Sequence, residues 1–214
     1  MLASMTESLA RRERAALCDL ALEVGADAPT LCEGWTASDL VAHLLVRERN
    51  PVASLGNVLE SMAPRAESAM AKQQAEGYDA MVATLRTPPA PLRILPFVDR
   101  IMNGFEYLVH HEDLRRGVDG WQPRSLDPAD VDALWSQLSR GASFFGRKLP
   151  GPTVLRRRDT GATAVVRKGA DPVTISGEVL ELVLFLFGRS ATVGLEFDGP
   201  EAAVAAVREA DLGA

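Results

Sequence analysis

The apolar pattern of the chain changes near residue 150, and this change limits the fold more than any other feature. Before it, apolar residues such as Leu9, Leu17 and Val24 fall on one face at helical spacing, which is typical of amphipathic helices. After "KLPGP" the apolar residues alternate in short runs, so that "TVLRRRD" and "ATAVVRK" predict a hairpin and "DPVTISG" a third strand. The sequence therefore predicts a mainly α protein, in which a helical bundle (1–149) precedes a small α+β domain (150–214).

Capping and helix-breaking residues set the predicted helix bounds. Thr36, with Asp39 three positions later, forms a capping-box signature, and Pro51 ends the helix that follows. Pro128 stands in the first turn of another helix, which begins after Asp127. The remaining predicted helices of the first part cover residues 6–24, part of 52–86, and 98–116. In the last part, "EVLELVLFLFG" predicts a buried helix, "TVGLEFDG" a strand, and "PEAAVAAVREA" a final amphipathic helix.

Composition excludes several classes of function. The net charge of −6 argues against a nucleic-acid-binding protein, because such proteins carry a basic surface. The run Arg156 to Arg158 is interpreted as the solvated edge of a strand or turn, with phosphate binding as the less favoured alternative. The longest apolar run, "VLELVLFLF", is too short to span a bilayer, and the first residues show no secretory signal. Two cysteines without CxxC spacing indicate no disulfide framework, so we expect a cytoplasmic protein without membrane or nucleic-acid partners.

Two of the three histidines are adjacent, in "FEYLVHHEDLRR", and helical geometry separates them. Because each residue advances about 100° around a helix, residues three, four or seven apart share a stripe. Asn103, Glu106, His110 and Asp113 share one such stripe, which borders the apolar face of this helix. His111 points to the other side of the helix, so we expect the two histidines to have different roles.

Glu106 and His110 lie one turn apart, so both side chains can bind the same metal ion. His43, on a second helix of the predicted bundle, is the candidate for a third ligand, and Asp39 is expected to accept its other ring N–H. Spacing alone leaves open that Glu106 and His110 form an ordinary contact on a solvated helix face, and that Asp39 is only a capping residue. The next carboxylates are expected to be solvated partners of arginines: Glu112 and Asp113 with Arg115 or Arg116.

Two segments carry a family resemblance: "LCEGWTASDLVAHLLVRERNP" and "NGFEYLVHHEDLRR". They resemble the signature segments of the DinB/YfiT-like metal-binding four-helix bundles, in particular the mycothiol-dependent maleylpyruvate isomerase-like branch with its uncharacterised relatives. In that branch a Gly-Trp loop precedes the helix with the first histidine, and a later helix carries Glu-x-x-x-His followed by His-x-Asp. The resemblance implies a DinB-like bundle over most of the first 150 residues, with His43, Glu106 and His110 as metal ligands. The matching positions are Gly34, Trp35, His43, Glu106, His110, His111 and Asp113.

The same resemblance implies a chemistry. Two histidines and one carboxylate leave an open coordination position, where members of the family place a small thiol such as mycothiol for attack on an electrophile. Zinc is the preferred divalent ion, and the ligand types leave nickel, iron(II) and manganese open. The expected function is thus a thiol-dependent transferase or isomerase that uses a small-molecule thiol and a small electrophile, as a monomer or homodimer. A non-catalytic protein that binds a metal or small ligand is the alternative.

Three further residues are weighed against ordinary structural roles. Arg189 follows a leucine-rich helix, "ELVLFLFGRS", at a position that in the isomerase-like branch handles the thiol or the substrate. Its alternative role is an interaction with the last carbonyls of that helix. Cys32 stands in the loop "LCEGW", where it is either a small buried residue or a thiol that closes the metal site from within. Trp35 is expected to pack in the core or at the mouth of the bundle.

Overall fold

The structure, a computed structural model, describes residues 7–50, 63–90 and 96–213, and for residues 96–102 the helical backbone alone. Two compact units are present, Met1–Gln122 and Pro123–Ala214, and each is described by itself. Among the described helices, none combines the length and the apolar character needed to cross a bilayer.

The first unit is helical. The helix α1 packs along α5 and also against α4, while α2 packs against α3 and α4. A buried apolar core holds these helices together, with Leu17, Leu44, Leu85 and Leu114 contributed by four of them. The helices are α1 (Leu9–Val24), α2 (Ala37–Arg49), α3 (Ala63–Gln74), α4 (Tyr78–Arg86) and α5 (Pro96–Arg116).

The predicted capping box sets the start of α2. The backbone N–H of Thr36 donates to Oδ2 of Asp39 at 2.9 Å, and the N–H of Asp39 donates to Oγ1 of Thr36 at 3.4 Å. This reciprocal pair satisfies N–H groups that the first turn of a helix leaves unpaired. Since the helix starts at a defined residue, the face on which His43 lies is defined too. The predicted helix over 98–116 is also observed, whereas the part predicted within 52–62 lies outside the described residues.

A buried ion pair links α1 to α2 in this core. Both terminal nitrogens of Arg14 donate to the carboxylate of Glu48, at 2.7 and 2.5 Å, and Nη1 also donates to the carbonyl of Leu85 at 3.1 Å. The guanidinium lies over the ring of Tyr107, 4.2 Å from the ring centre. Both charged side chains are almost fully buried, with 2% and 1% exposed. Such a pair is held by paired hydrogen bonds that compensate for the lost hydration.

The second unit is a four-stranded mixed sheet with helices. The strands lie in the order β2-β1-β3-β4. The predicted hairpin is confirmed, because β1 and β2 pair antiparallel, whereas β1 and β3 pair parallel and β3 and β4 antiparallel. The elements are α6 (Pro128–Phe145), β1 (Thr153–Arg157), β2 (Thr163–Arg167), β3 (Val173–Gly177), α7 (Val179–Leu186), β4 (Glu196–Asp198) and α8 (Glu201–Arg208).

The two units divide earlier than the predicted domain boundary at residues 149 and 150. The division lies between Gln122 and Pro123, and α6 packs against β2 and α7 of the second unit. The predicted boundary between independently folding domains stays a prediction. The predicted fold class, a mainly helical part followed by a small α+β part, is confirmed.

The run of three arginines in β1 and the following turn is only partly a solvated edge. Arg157 is buried and pairs with Asp132 and Asp159 at 2.5 and 2.6 Å. The more exposed Arg158 pairs with Glu196 at 2.8 Å. The expectation of solvation is therefore wrong for Arg157, because its guanidinium is covered by the carboxylates with which it pairs.

Candidate metal centre

The three predicted metal ligands lie together in the first unit. Nε2 of His43, on α2, is 3.7 Å from Oε1 of Glu106, on α5. Nε2 of His110, one turn further along α5, is 3.4 Å from the same oxygen. The candidate ligand atoms of the three residues lie within 4.8 Å of one another. Each imidazole thus turns its Nε2 atom towards one carboxylate oxygen.

The spacing of these atoms fits a divalent ion. Ligand atoms about 2.0 to 2.2 Å from a tetrahedral ion lie about 3.3 to 3.6 Å from one another. The distances of 3.4 and 3.7 Å from Oε1 of Glu106 to the two imidazoles are close to that range. They also exceed the usual length of an N–H···O hydrogen bond, about 2.7 to 3.2 Å. The three side chains therefore converge at the spacing of ligands around an ion, with a donor set that suits zinc.

Asp113 orients His110. Its Oδ2 atom lies 2.9 Å from Nδ1 of His110, and the carboxylate is fully buried. This contact favours the tautomer with the proton on Nδ1, which leaves the lone pair of Nε2 for an ion. The expectation that Asp113 is a solvated partner of an arginine is wrong. Glu112, also buried, pairs with Arg115 and Arg116 at 2.8 and 2.5 Å instead.

His43 does not have the predicted partner. The carboxylate of Asp39 accepts hydrogen bonds from Thr36 and from Nε2 of Gln74, at 2.9 and 2.8 Å, and is held in the capping box. Nδ1 of His43 is buried and has no hydrogen-bond partner among the described residues. The ring of Trp35, which is partly buried against the apolar core, packs 5.0 Å from the ring of His43. Packing rather than a carboxylate therefore orients His43.

The pKa values within the cluster are displaced in different directions. Burial alone would raise the pKa of Glu106, but His110, His43 and Arg47 hold it well below its usual value. Burial alone would lower the pKa of His110, but the neighbouring Asp113, Cys32 and Glu106 raise it well above its usual value. Burial lowers the pKa of His43, against the opposing influence of Glu106. Both shifts favour the charged forms, a carboxylate at Glu106 and an imidazolium at His110, so protons compete with an ion for His110.

Arg47 also contacts the cluster, and the sequence reasoning missed it. Its Nε atom lies 3.0 Å from Oε1 of Glu106, and its Nη1 donates to Oδ1 of Asn103 at 2.6 Å. Asn103 in turn donates to Glu48 at 3.2 Å, which connects the cluster to the buried ion pair of the core. The signal was present in the sequence, since Arg47 stands one helical turn after His43.

His111 lies away from the cluster, as helical geometry predicts. Its Nδ1 atom is 2.6 Å from Oε2 of Glu13, on α1, and both side chains are buried. This pair lies in the interface between α1 and α5. The side chain of His111 leaves α5 about 100° around the helix from that of His110. The two adjacent histidines therefore have different surroundings, one beside Glu106 and the other beside Glu13.

Cys32 contacts the carboxylate that orients His110. Its Sγ atom donates to Oδ2 of Asp113 at 3.3 Å, and it shares that carboxylate with Nδ1 of His110. Nε2 of the same ring is turned towards Glu106, so Asp113, which Cys32 contacts, and Glu106 lie at different nitrogens of one imidazole. The two roles considered for Cys32 from the sequence, a small buried residue or a thiol that closes the metal site, stay predictions.

Arg189 belongs to the second unit. Its Nη1 atom donates to the carbonyl of Phe187 at 2.5 Å, at the end of α7, which matches the structural alternative considered for it. The residue also lines a cleft of ≈ 310 Å³ together with Phe197 and Arg208. A role for Arg189 towards a thiol or substrate stays a prediction.

Comparison with known proteins relates the chain to one solved fold. No family model and no curated protein matches it. The crystal structure of the mycothiol-dependent maleylpyruvate isomerase matches with a TM-score of 0.55 and 18% identity, over 89% of this chain and 90% of the other. The chain has the fold of this isomerase. A mutant of that isomerase matches over the same shares, with a TM-score of 0.50 and 18% identity.

This match confirms the resemblance predicted from the two signature segments. The fold is that of the isomerase, with a mainly helical first part and a small mixed sheet after it. At 18% identity the likeness concerns the fold alone. The chemistry of this chain has to be argued from its own residues.

Proposed function

We propose that the chain binds one divalent metal ion through His43, Glu106 and His110, and that it is a thiol-dependent transferase or isomerase acting on a small electrophile. One observation carries the proposal: two imidazoles from different helices turn Nε2 towards the same carboxylate oxygen, at 3.7 and 3.4 Å. Two-histidine, one-carboxylate sets of this kind are typical of catalytic ions, because they leave a position for a further ligand.

The surrounding residues set the orientation, the charge and the water contact of the three ligands. Asp113 holds the Nδ1 proton of His110, so that Nε2 faces Glu106 as an acceptor. Arg47 helps to keep Glu106 ionised, which keeps the carboxylate ready to bind a cation. Trp35 covers one side of His43 and limits its contact with water. These are positioning roles, since none of these three residues supplies a ligand atom to the site of His43, Glu106 and His110.

Zinc fits this donor set, and nickel, iron(II) and manganese share its ligand preferences in part. An ion bound there would supply positive charge that favours the thiolate form of a small thiol. The isomerase of the same fold is mycothiol-dependent by name. For this chain we therefore propose a small thiol of the mycothiol type as cosubstrate, and a reducing compartment, the cytoplasm, as its location.

The first experiment is metal analysis of the full chain purified without a histidine tag. We expect about one divalent ion per chain, and its loss in His43→Ala and in His110→Ala, because two remaining ligands hold an ion poorly. Full metal content in both variants would refute the proposed site.

The second experiment tests the reaction class with the zinc-loaded protein. Consumption of small electrophiles should depend on added mycothiol and should be lost in His43→Ala. Tight zinc binding without thiol-stimulated turnover of any electrophile would contradict the enzyme and favour a metal-binding protein without catalysis.

A further inference from the structure

A second group of metal-ligating atoms lies on the other side of His110. Sγ of Cys32, a ring nitrogen of His110 and a carboxylate oxygen of Asp113 lie within 4.8 Å of one another. Oδ2 of Asp113 is 3.3 Å from the sulfur and 2.9 Å from Nδ1. A tetrahedral ion with a thiolate, an imidazole and a carboxylate needs spacings of about 3.4 to 3.6 Å, and both distances from Asp113 are within about half an ångström of that range.

The backbone holds this thiol in place beside α5. The N–H of Leu31 donates to the carbonyl of Asp113 at 3.0 Å, which ties the loop directly to the residue that carries the carboxylate. The N–H of Cys32 donates to Oγ1 of Thr30 at 3.1 Å. Gly117 permits the close approach, because a Cβ atom there would collide with the carbonyl of Pro29. The proximity of Cys32 to Asp113 thus follows from the backbone and not from a flexible side chain.

The two cysteines of the chain differ in accessibility. Cys18 is fully buried in the apolar core, and burial raises the pKa of its thiol to about 11. Cys32 is only half-buried, and neither cysteine forms a disulfide. An ion that enters from solvent therefore meets one thiol, which has a buried carboxylate and an imidazole beside it.

We propose that Cys32, His110 and Asp113 form a second metal site, selective for thiophilic ions, that competes with the site of His43 and Glu106 for His110. Thiolate ligands favour soft ions such as cadmium and copper(I) over magnesium or calcium. Binding replaces the protons on the sulfur and on Nδ1, and both protons pass to solvent. The competition arises because an ion at Nδ1 takes the nitrogen that Asp113 uses to orient Nε2 towards Glu106.

The competition makes a specific prediction about stoichiometry. Once an ion occupies Nδ1, the other site has lost the outer contact that orients its ligand, and such a loss typically weakens metal binding about 10- to 100-fold. The wild-type chain should therefore hold about one thiophilic ion, not two, at moderate excess. The second site shares only His110 with the proposed catalytic one, so each can be tested without the other.

Cadmium is the probe, because cadmium–thiolate charge transfer absorbs in the ultraviolet. We expect the full chain to develop this absorption on cadmium titration and to retain it in His43→Ala, which alters only the first site. It should disappear in Cys32→Ala and persist in the matched control Cys18→Ala. Circular dichroism checks the fold of each variant.

Metal content completes the test. Cys32→Ala and His43→Ala should each still hold about one cadmium ion, in the site that each leaves intact, and His110→Ala should hold none. A charge-transfer band that survives in Cys32→Ala, or one that His43→Ala removes, would overturn the second site. Two ions per wild-type chain would overturn the competition. Loss of all metal in Cys32→Ala, with full retention in His43→Ala, would instead refute the site of the proposed function.

Discussion

Replacement of Asp113 by asparagine removes the charge that orients His110 with little change of volume. The contact between Oδ2 and Nδ1 of His110 is 2.9 Å long and fully buried. Loss of such a partner typically lowers metal affinity about 10- to 100-fold, which corresponds to about 1.4 to 2.7 kcal/mol. The independent estimate for a hydrogen bond to a charged group, about 1.5 to 3 kcal/mol, has the same size. We expect the zinc affinity of Asp113→Asn to be about 10- to 100-fold lower than that of the wild type.

The pH dependence of this loss follows from the direction of the pKa shift. Asp113 stabilises the protonated form of His110, as the raised pKa shows, and a proton on Nε2 competes with an ion. Above the pKa of His110 protons do not compete with zinc, so the variant differs from the wild type only by the lost orientation. The loss of zinc affinity in Asp113→Asn should therefore be largest there. Below that pKa, protons compete with zinc less strongly in the variant than in the wild type. The difference in zinc affinity between the two should therefore shrink as the pH falls.

The assay is competition of the protein with a chromophoric zinc chelator, at one pH on each side of this transition. Glu112→Gln is the matched control, because Glu112 is equally buried but pairs with Arg115 and Arg116. It should lower the free energy of unfolding and leave zinc affinity unchanged. Affinity of Asp113→Asn within about twofold of wild type at alkaline pH would refute the orienting role, as would an equal loss in Glu112→Gln.

Three other outcomes are expected. His111→Ala should keep the metal and His110→Ala should lose it, as measured by elemental analysis; the reverse would mean that the site uses the other face of α5. In the Cys32→Ala variant loaded with cobalt(II), added thiol should produce thiolate charge-transfer bands that weaken as the pH falls, because a protonated thiol is a poor ligand; unchanged spectra would count against an open coordination position. Glu48→Gln should lower the free energy of unfolding in urea by about 3 to 5 kcal/mol, because it leaves the guanidinium of Arg14 buried without its carboxylate. A loss below about 1 kcal/mol would mean that this pair contributes no more to stability than an exposed ion pair.

Local sequence signals predicted the elements that carry the ligands. The capping box of Thr36 and Asp39 defines the start of α2, and the 3.6-residue period places Glu106 and His110 on one stripe of α5. With those two helices, the three candidate ligands could be named before their distances were known. Each signal depends on residues within one or two turns of the same helix.

The partners of these ligands could not be predicted in the same way. The sequence suggested Asp39 for His43 and arginines for Asp113, because those residues are neighbours on the same helix. The structure instead places Gln74 beside Asp39 and Cys32 beside Asp113, through contacts between segments 35 and 81 positions apart. Which residue fills such a place depends on how helices and loops pack, and helical period carries no information about it.

The parallel pairing of β1 with β3 is a similar case. The hairpin of β1 and β2 follows from adjacent alternating runs and the turn between them. The pairing of Thr153 with Val173, in contrast, depends on which edge of the hairpin accepts the third strand. Strand periodicity identifies the face of each strand but not its neighbour.

The attachment of the loop around Cys32 to α5 has a consequence for protein engineering. The N–H of Leu31 and the N–H of Cys32 make the bonds that hold this loop, and neither bond involves the side chain at position 32. That side chain can therefore be exchanged while the backbone stays in place. Cys32→His would present an imidazole beside the buried carboxylate of Asp113, converting a sulfur-containing donor set into one of nitrogen and oxygen alone. Ion preference could then be redesigned towards harder metals by one substitution, on a loop that needs no rebuilding.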